Sequence, residues 1–159
     1  MIPVEAHLVL NHIPLIGLAF GLVFFVAGLL RSSEQFLRTG LRIFLVMGIV
    51  VLPVVGSGLM SATILANATW LDAHALSNHR LAGILTLVVL VGLGTLSGAG
   101  LFTSAQNRWA MSARVRNAVL FLAIAGFGAT VWTAYLGGTL RHSELASDRS
   151  RSMEALGTR

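Results

Sequence analysis

Four long apolar runs limit the folds that this sequence of 159 residues can adopt. A helix needs about 20 residues to cross the hydrocarbon core of a bilayer. The sequence predicts four such spans, at roughly residues 8–30, 43–66, 80–102 and 117–140. Short polar connections join them, so the expected fold is all-α: an integral membrane four-helix bundle with up-down topology. Residues 1–142 form this domain, and residues 143–159 form a polar tail that is either mobile or docked on a partner.

The composition agrees with a membrane protein, because 55% of the residues are hydrophobic and only 11% are charged. The chain has no cysteine, which excludes disulfides, covalently attached c-type haem and cysteine-ligated iron–sulfur clusters. A cofactor would therefore be held by histidine, methionine or carboxylate. No basic stripe interleaved with aromatic residues is present, so we expect lipid rather than nucleic acid as the surroundings of the chain.

The loops after the first and third predicted spans are rich in arginine. Together they carry six basic residues against the single acid Glu34: Arg31, Arg38, Arg42, Arg108, Arg114 and Arg116. Short loops with an excess of arginine face the cytoplasm. We therefore expect a multi-pass protein of the bacterial inner membrane with both termini on the periplasmic side.

A histidine motif occurs twice, as AHLVLNH at residues 6–12 and as AHALSNH at residues 73–79. The two copies contain four of the five histidines, and each precedes a predicted span. Because the first and third spans run in the same direction, both copies are expected at one membrane face, together with His142. Their separation of one helix pair leaves open a tandem repeat of two helical hairpins.

The deeper histidine of each copy, His12 or His79, is a candidate ligand for a metal centre. Five helical residues correspond to about 140° of rotation, so the two histidines of one copy cannot share a helix face. Two imidazoles on different helices can supply the two axial positions of a b-type haem. We predict His12 and His79 as these ligands, with Arg80 and Arg141 as partners of the haem propionates. Alternatively, both histidines only form hydrogen bonds with the backbone or with neighbouring asparagines.

The shallower histidines, His7 and His74, are predicted closer to the headgroup region, where a histidine is often simply solvated. With His142 they are further candidates for metal binding, either to a second haem or to a copper or zinc ion.

Two segments resemble a known family. His7-Leu-Val-Leu-Asn-His12-Ile-Pro14 is similar to the His-Pro-x-x-x-His-x-Pro opening of a group of small four-helix bacterial membrane proteins that share a domain of unknown function. Gly137-Gly138-Thr-Leu140-Arg-His142 resembles the glycine pair, leucine and histidine that end their last helix. Leu8 stands where the family has proline, and His142 follows the glycines more closely. The resemblance implies a four-helix fold and haem binding similar to that of cytochromes b.

No sequence motif for catalysis accompanies these histidines: the chain has no Walker loop, no G-x-S-x-G and no H-E-x-x-H. We expect an electron-transfer subunit of a larger respiratory or photosynthetic complex, rather than an enzyme. Its expected partner is a cytochrome c, a copper protein or a quinone. Two alternatives are a cofactor-free structural subunit that anchors a membrane complex and a histidine-rich protein that binds copper or zinc.

Overall fold

Helices make up the described part of the chain. The computed structural model describes residues 2–65, 72–106 and 111–157, with side chains for 4–65, 72–103 and 111–140. The helices are α1 (Ile2–Leu10), α2 (His12–Leu30), α3 (Glu34–Leu65), α4 (Ala73–Gln106) and α5 (Ala113–Gly157). Since α1 and α2 together form the first span, the chain folds as four long helical segments. The predicted all-α four-helix bundle is confirmed.

The four segments pack as a closed ring. Helix α2 packs against α3 and α5, and α4 packs against the same two helices. The short helix α1 packs mainly against α3. The first and third spans are therefore diagonal neighbours across the bundle, and so are the second and fourth. Side chains that point inward from a diagonal pair can meet on the bundle axis.

The break between α1 and α2 has a local cause. Pro14 has no N–H to donate to the carbonyl of Leu10, and its ring crowds that carbonyl. The helix stops at Leu10 and resumes at His12, so that Pro14 lies in the first turn of α2, where proline is tolerated. The N–H of Asn11 still donates to the carbonyl of His7 at 3.0 Å, which keeps the two helices nearly continuous.

A three-residue turn connects α2 with α3. Ser32 has φ 50°, and the N–H of Ser33 donates to the carbonyl of Gly28 at 3.0 Å. This is the left-handed helix ending that usually carries glycine at the position of Ser32. The turn reverses the chain sharply enough for Gly28 to lie against the backbone of Leu37.

The helices extend beyond the predicted spans. Helix α3 begins at Glu34 rather than near residue 43, and α4 begins at Ala73 rather than near residue 80. Helix α5 continues through the polar segment to Gly157. Hydropathy marks only the part of a helix that fits the bilayer, whereas arginine, glutamate, glutamine and leucine favour helix on either side of that limit.

The surface of the bundle is apolar. Four helical segments are long and apolar enough to cross a membrane: Val4–Leu30, Glu34–Leu65, Ala73–Thr103 and Ala113–Leu140. Large apolar side chains such as Val23 (64% exposed) and Phe121 (71%) point outward, whereas the fully buried core is small and includes Phe25, Phe44 and Leu90. An apolar exterior of this extent suits contact with lipid rather than with water.

Glycines bring α3 and α4 together. At Gly48 an added Cβ would lie 2.8 Å from the Cα of Gly94 and 2.9 Å from the carbonyl oxygen of Leu90. Both contacts are with backbone, which cannot rotate away as a side chain can. This crossing therefore depends on the absence of a side chain, as is common for helix pairs in membranes.

We expect Gly48→Ala to destabilise the protein by about 1–3 kcal/mol, because the new methyl group must push α3 and α4 apart. Gly92→Ala is the matched control, since nothing lies within 4 Å of a Cβ at that position. Unfolding in mixed micelles with increasing denaturing detergent measures both variants. Equal stability of the two variants would contradict the packing described here.

Candidate functional site

Two histidine rings meet inside one end of the bundle. The ring centres of His7, on α1, and His79, on α4, are 6.3 Å apart, and the ring planes are inclined at 77°. Both side chains are half-buried. Since the first and third spans are diagonal neighbours, this contact crosses the bundle axis. We call these two residues, with the backbone that holds them, the paired-histidine site.

His7 is held by α3. Its Nδ1 donates to the carbonyl oxygen of Val54 at 3.1 Å and lies 3.2 Å from the hydroxyl oxygen of Ser57. That hydroxyl itself donates to the Val54 carbonyl at 2.8 Å, so it accepts from His7. The ring lies over Gly58, where an added Cβ would come within 2.8 Å of the ring atom Cε1.

His79 is held by α5 in the same way. Its Nδ1 donates to the carbonyl oxygen of Thr133 at 3.1 Å. Its ring lies over Gly137, where an added Cβ would come within 3.1 Å of Cε1. Each histidine therefore reaches a carbonyl on the next helix of the ring, and each passes over a glycine four residues further along that helix.

The glycines explain why these carbonyls can be reached. In an α-helix the carbonyl of residue n accepts the N–H of residue n+4, and the side chain of residue n+4 lies close to it. Glycine at n+4 leaves the second lone pair of the carbonyl open to a ring from a neighbouring helix. The pairs Val54 with Gly58 and Thr133 with Gly137 both meet this condition.

The similar contacts of His7 and His79 change which histidines of the predicted repeat correspond to each other. The sequence copies align His7 with His74 and His12 with His79. In the structure the equivalent residues are His7 and His79, which make the same contacts from the two hairpins. The two hairpins therefore hold their histidine rings in a similar way. The histidines that correspond in the structure are not the ones that the alignment of the two seven-residue copies pairs.

The hydrogen bonds determine what the rings can do chemically. A carbonyl oxygen only accepts, so each Nδ1 carries a hydrogen and each neutral ring has its lone pair on Nε2. Histidines that bind metals commonly donate their other N–H to a carbonyl, which fixes the ring orientation and raises the basicity of the ligand. Both His7 and His79 donate their Nδ1–H to a backbone carbonyl, as such ligands do.

The separation of the rings also suits one shared metal. A metal–imidazole bond is about 2.0–2.1 Å, and a ring nitrogen lies about 1.1 Å from the ring centre, so two rings on opposite sides of one ion have centres about 6.3 Å apart. The ring centres of His7 and His79 lie 6.3 Å apart in a T-shaped contact, so the distance between them is compatible with one shared ion.

His12 does not take part in this pair. Its side chain is exposed, and its Nδ1 bonds to the carbonyl of Leu8 on its own helix at 3.0 Å. The structure therefore pairs His79 with His7, rather than with His12. The rotation of about 140° between His7 and His12 does place one of them inward and one outward, but the inward residue is the shallower one.

The remaining predicted site residues lie apart from the pair or beyond the described side chains. His74 is exposed, and its Nδ1 accepts from the amide of Asn78 at 3.2 Å. Its backbone N–H donates to the carboxylate of Asp72, which caps α4. Arg80 is exposed. Arg141 and His142 lie on the helical backbone of α5 but outside the residues whose side chains are described.

A hydrogen bond between two threonines connects α4 and α5 near the site. Thr86 on α4 donates its hydroxyl hydrogen to the hydroxyl oxygen of Thr133 on α5 at 2.9 Å, and Thr133 donates to the carbonyl of Ala129. Thr86 is only 5% exposed. This link fixes α4 against α5 one to two turns from His79, so it steadies the helix that supplies the acceptor carbonyl.

Within the described residues, no three side chains of the types His, Cys, Asp and Glu lie close enough together to hold a metal ion. The four histidines of the copper or zinc alternative, His7, His12, His74 and His79, thus do not gather into one cluster there. The potential ligands that do meet are the two imidazoles of the paired-histidine site.

Comparison of the chain with protein-family models, with curated proteins and with solved structures finds no match. The residues of the site are therefore the basis for any functional conclusion.

Sequence reasoning missed the acceptor residues Val54 and Thr133 because they contribute backbone oxygens, which any residue carries. It also missed the inward direction of His7. Two glycines in the sequence could have indicated these contacts. Gly58 and Gly137 occur near the same end of the second and fourth spans, at the depth of the histidines.

We expect Gly58→Ala to displace the His7 ring and to break its bond with Val54, because the new methyl group would overlap Cε1. Side-chain ¹⁵N NMR should then show a changed signal for the His7 Nδ1–H. Gly56→Ala is the matched control on the same helix, since nothing lies within 4 Å of a Cβ there. A His7 signal unchanged by Gly58→Ala would contradict the described contact.

Proposed function

We propose that this protein is a membrane-embedded b-type cytochrome that relays electrons, in which His7 and His79 would hold the iron of one haem. The observation that carries the proposal is the pair of imidazoles 6.3 Å apart, each with Nδ1 bonded to a carbonyl. The proposal replaces His12 by His7 in the ligand pair expected from the sequence.

The set of donors favours haem over a bare zinc ion. A structural zinc site takes four protein ligands, and a catalytic site takes three. A haem brings four nitrogens of its own and needs only two from the protein. Among the described residues, no third His, Cys, Asp or Glu side chain joins these two imidazoles in a metal-binding group.

The residues of the chain would perform three tasks at such a haem. His7 and His79 would hold the iron, with ring orientations set by the Val54 and Thr133 carbonyls. Gly58 and Gly137 would keep methyl groups away from the rings. The haem would supply a one-electron couple between ferric and ferrous iron. Arg80 and Arg141 remain proposed partners for the propionates.

The position of the site at one end of the bundle suits exchange of electrons with a partner at that membrane face. We assign this face to the periplasmic side of the bacterial inner membrane, because the arginine-rich loops lie at the opposite end. We propose that the chain serves as a subunit of a larger respiratory or photosynthetic complex. A protein partner at this face would be a cytochrome c or a copper protein.

A second candidate function is the binding of cuprous copper. Cu(I) accepts two imidazoles in a linear arrangement, and imidazole is a suitable ligand for copper. A single ion needs only the gap between the two rings, whereas a porphyrin also needs space beside it. The ring separation of 6.3 Å therefore suits a single ion held by the two imidazoles.

Visible spectra of the purified protein, together with histidine variants, test the ligand assignment. We expect a Soret band that is lost or shifted in His7→Ala and in His79→Ala, because each variant removes one axial ligand. His12→Ala and His74→Ala are matched controls and should keep the spectrum of the native protein, since both side chains are exposed.

Three results would contradict the proposal in different ways. A spectrum changed by His12→Ala and unchanged by His7→Ala would restore the ligand pair expected from the sequence. Stoichiometric copper without haem, measured by elemental analysis, would favour the second candidate. The absence of both would favour a cofactor-free structural subunit in which the two histidines only connect helices.

The ring planes give a second, independent prediction. A haem iron held by two imidazoles whose planes differ by 77° would have two d orbitals almost equal in energy. We therefore expect the ferric protein to show a strongly anisotropic low-spin electron paramagnetic resonance signal, with its largest g value above that of a haem with parallel imidazoles. A spectrum of the parallel type would show that the rings are not held as described.

A further inference from the structure

Polar side chains at the arginine-rich end of the bundle line a shallow pocket on the surface of α3. They belong to Glu34, Gln35, Arg38 and Arg42, and the pocket has a volume of about 330 Å³. Gln35, Arg38 and Arg42 are separated by three and four residues, so they share one face of the helix. The pocket therefore offers two guanidinium groups and one amide to a ligand.

The pocket lies at the level of the lipid headgroups. The residues that follow Arg42 in α3, from Ile43 to Leu65, include no charged residue and correspond to about 35 Å of helix. This length is enough to cross the hydrocarbon core of a bilayer, which is about 30 Å thick. Residues 34–42 consequently extend past the edge of the hydrocarbon core, into the layer where lipid phosphates lie.

We propose that this pocket, called here the arginine pocket, binds the phosphodiester of an acidic phospholipid. Arg38 forms an ion pair with Glu34, whereas the guanidinium of Arg42 has no ion pair or hydrogen bond with any residue that the structure describes. An exposed guanidinium can donate two parallel hydrogen bonds to two phosphate oxygens. The proposal goes beyond the electron-transfer function and does not depend on it.

The charge around the pocket favours an acidic lipid over a zwitterionic one. Glu34 is the only acidic residue of the chain between Ala6 and Leu71. The same end of the bundle carries three further arginines with described side chains, namely Arg31, Arg114 and Arg116. This excess of positive charge attracts a lipid of net negative charge and repels the ammonium group of a zwitterionic headgroup.

An apolar surface continues from the pocket toward the centre of the membrane. Val46 and Ile49 lie four and seven residues after Arg42, on the same face of α3, and they are 49% and 59% exposed. A lipid whose phosphate binds Arg42 would therefore place an acyl chain along these two side chains. Free phosphate would gain nothing from this apolar surface, so the arrangement favours a lipid as the source of the phosphate group.

Native mass spectrometry of the full-length protein, titrated in a neutral detergent with phosphatidylglycerol, tests the proposal. We expect Arg42→Gln to weaken binding of the first lipid by about fivefold, because one arginine is lost beside the phosphate. Glu34→Gln should strengthen binding by about two- to fivefold, because the carboxylate no longer competes with the phosphate for Arg38. Arg42 and Glu34 are both exposed, so we expect the two variants to fold.

Arg114→Gln is the matched control, because Arg114 is an exposed arginine at the same end of the bundle that does not line the pocket. Equal loss of affinity in Arg42→Gln and Arg114→Gln would overturn the proposal, since the attraction would then come from the overall charge. Phosphatidylcholine binding as tightly as phosphatidylglycerol would overturn it as well. Displacement of the lipid by millimolar inorganic phosphate would overturn the assignment of a lipid, because the pocket would then be a site for small anions.

Discussion

The hydrogen bond from an imidazole Nδ1 to a helix carbonyl, made possible by glycine one turn further on, determines how this bundle can hold a cofactor. It fixes the tautomer of each ring, directs Nε2 away from the acceptor helix and joins helices that are neighbours in the ring. A methyl group at position 58 would lie 2.8 Å from the His7 ring, and one at position 137 would lie 3.1 Å from the His79 ring. The paired-histidine site is thus a property of four helices, although the imidazoles come from only two of them.

The general architecture was predictable because the bilayer imposes a simple rule on sequence. Apolar runs of sufficient length must become helices that satisfy their own backbone, and short connections must make them antiparallel. The predicted spans agree with α2 to α5 in number and approximate position, while the helix ends differ because charged helix formers continue beyond the bilayer. Pro14 likewise explains why the first span is divided.

The site was only partly predictable, since its acceptors are backbone atoms and its depth depends on how helices pack. The 140° rotation within each motif correctly implies that only one histidine of each copy faces inward. Which one faces inward depends on the neighbouring helix, and a single sequence does not contain that information. His79 was expected to face another histidine, and it does so, but its partner is the shallower His7 instead of the deeper His12.

The distribution of the site over the chain has a consequence for assembly in the membrane. The first hairpin contains His7 together with its acceptor on α3, and the second contains His79 together with its acceptor on α5. Each half of the site can therefore be completed as soon as its own hairpin has been inserted. The two imidazoles come into contact only when the inserted hairpins associate, which is the second stage of helix assembly in a bilayer. A ligand shared by both rings could bind only after the two hairpins have associated. Once bound, it would hold the hairpins together.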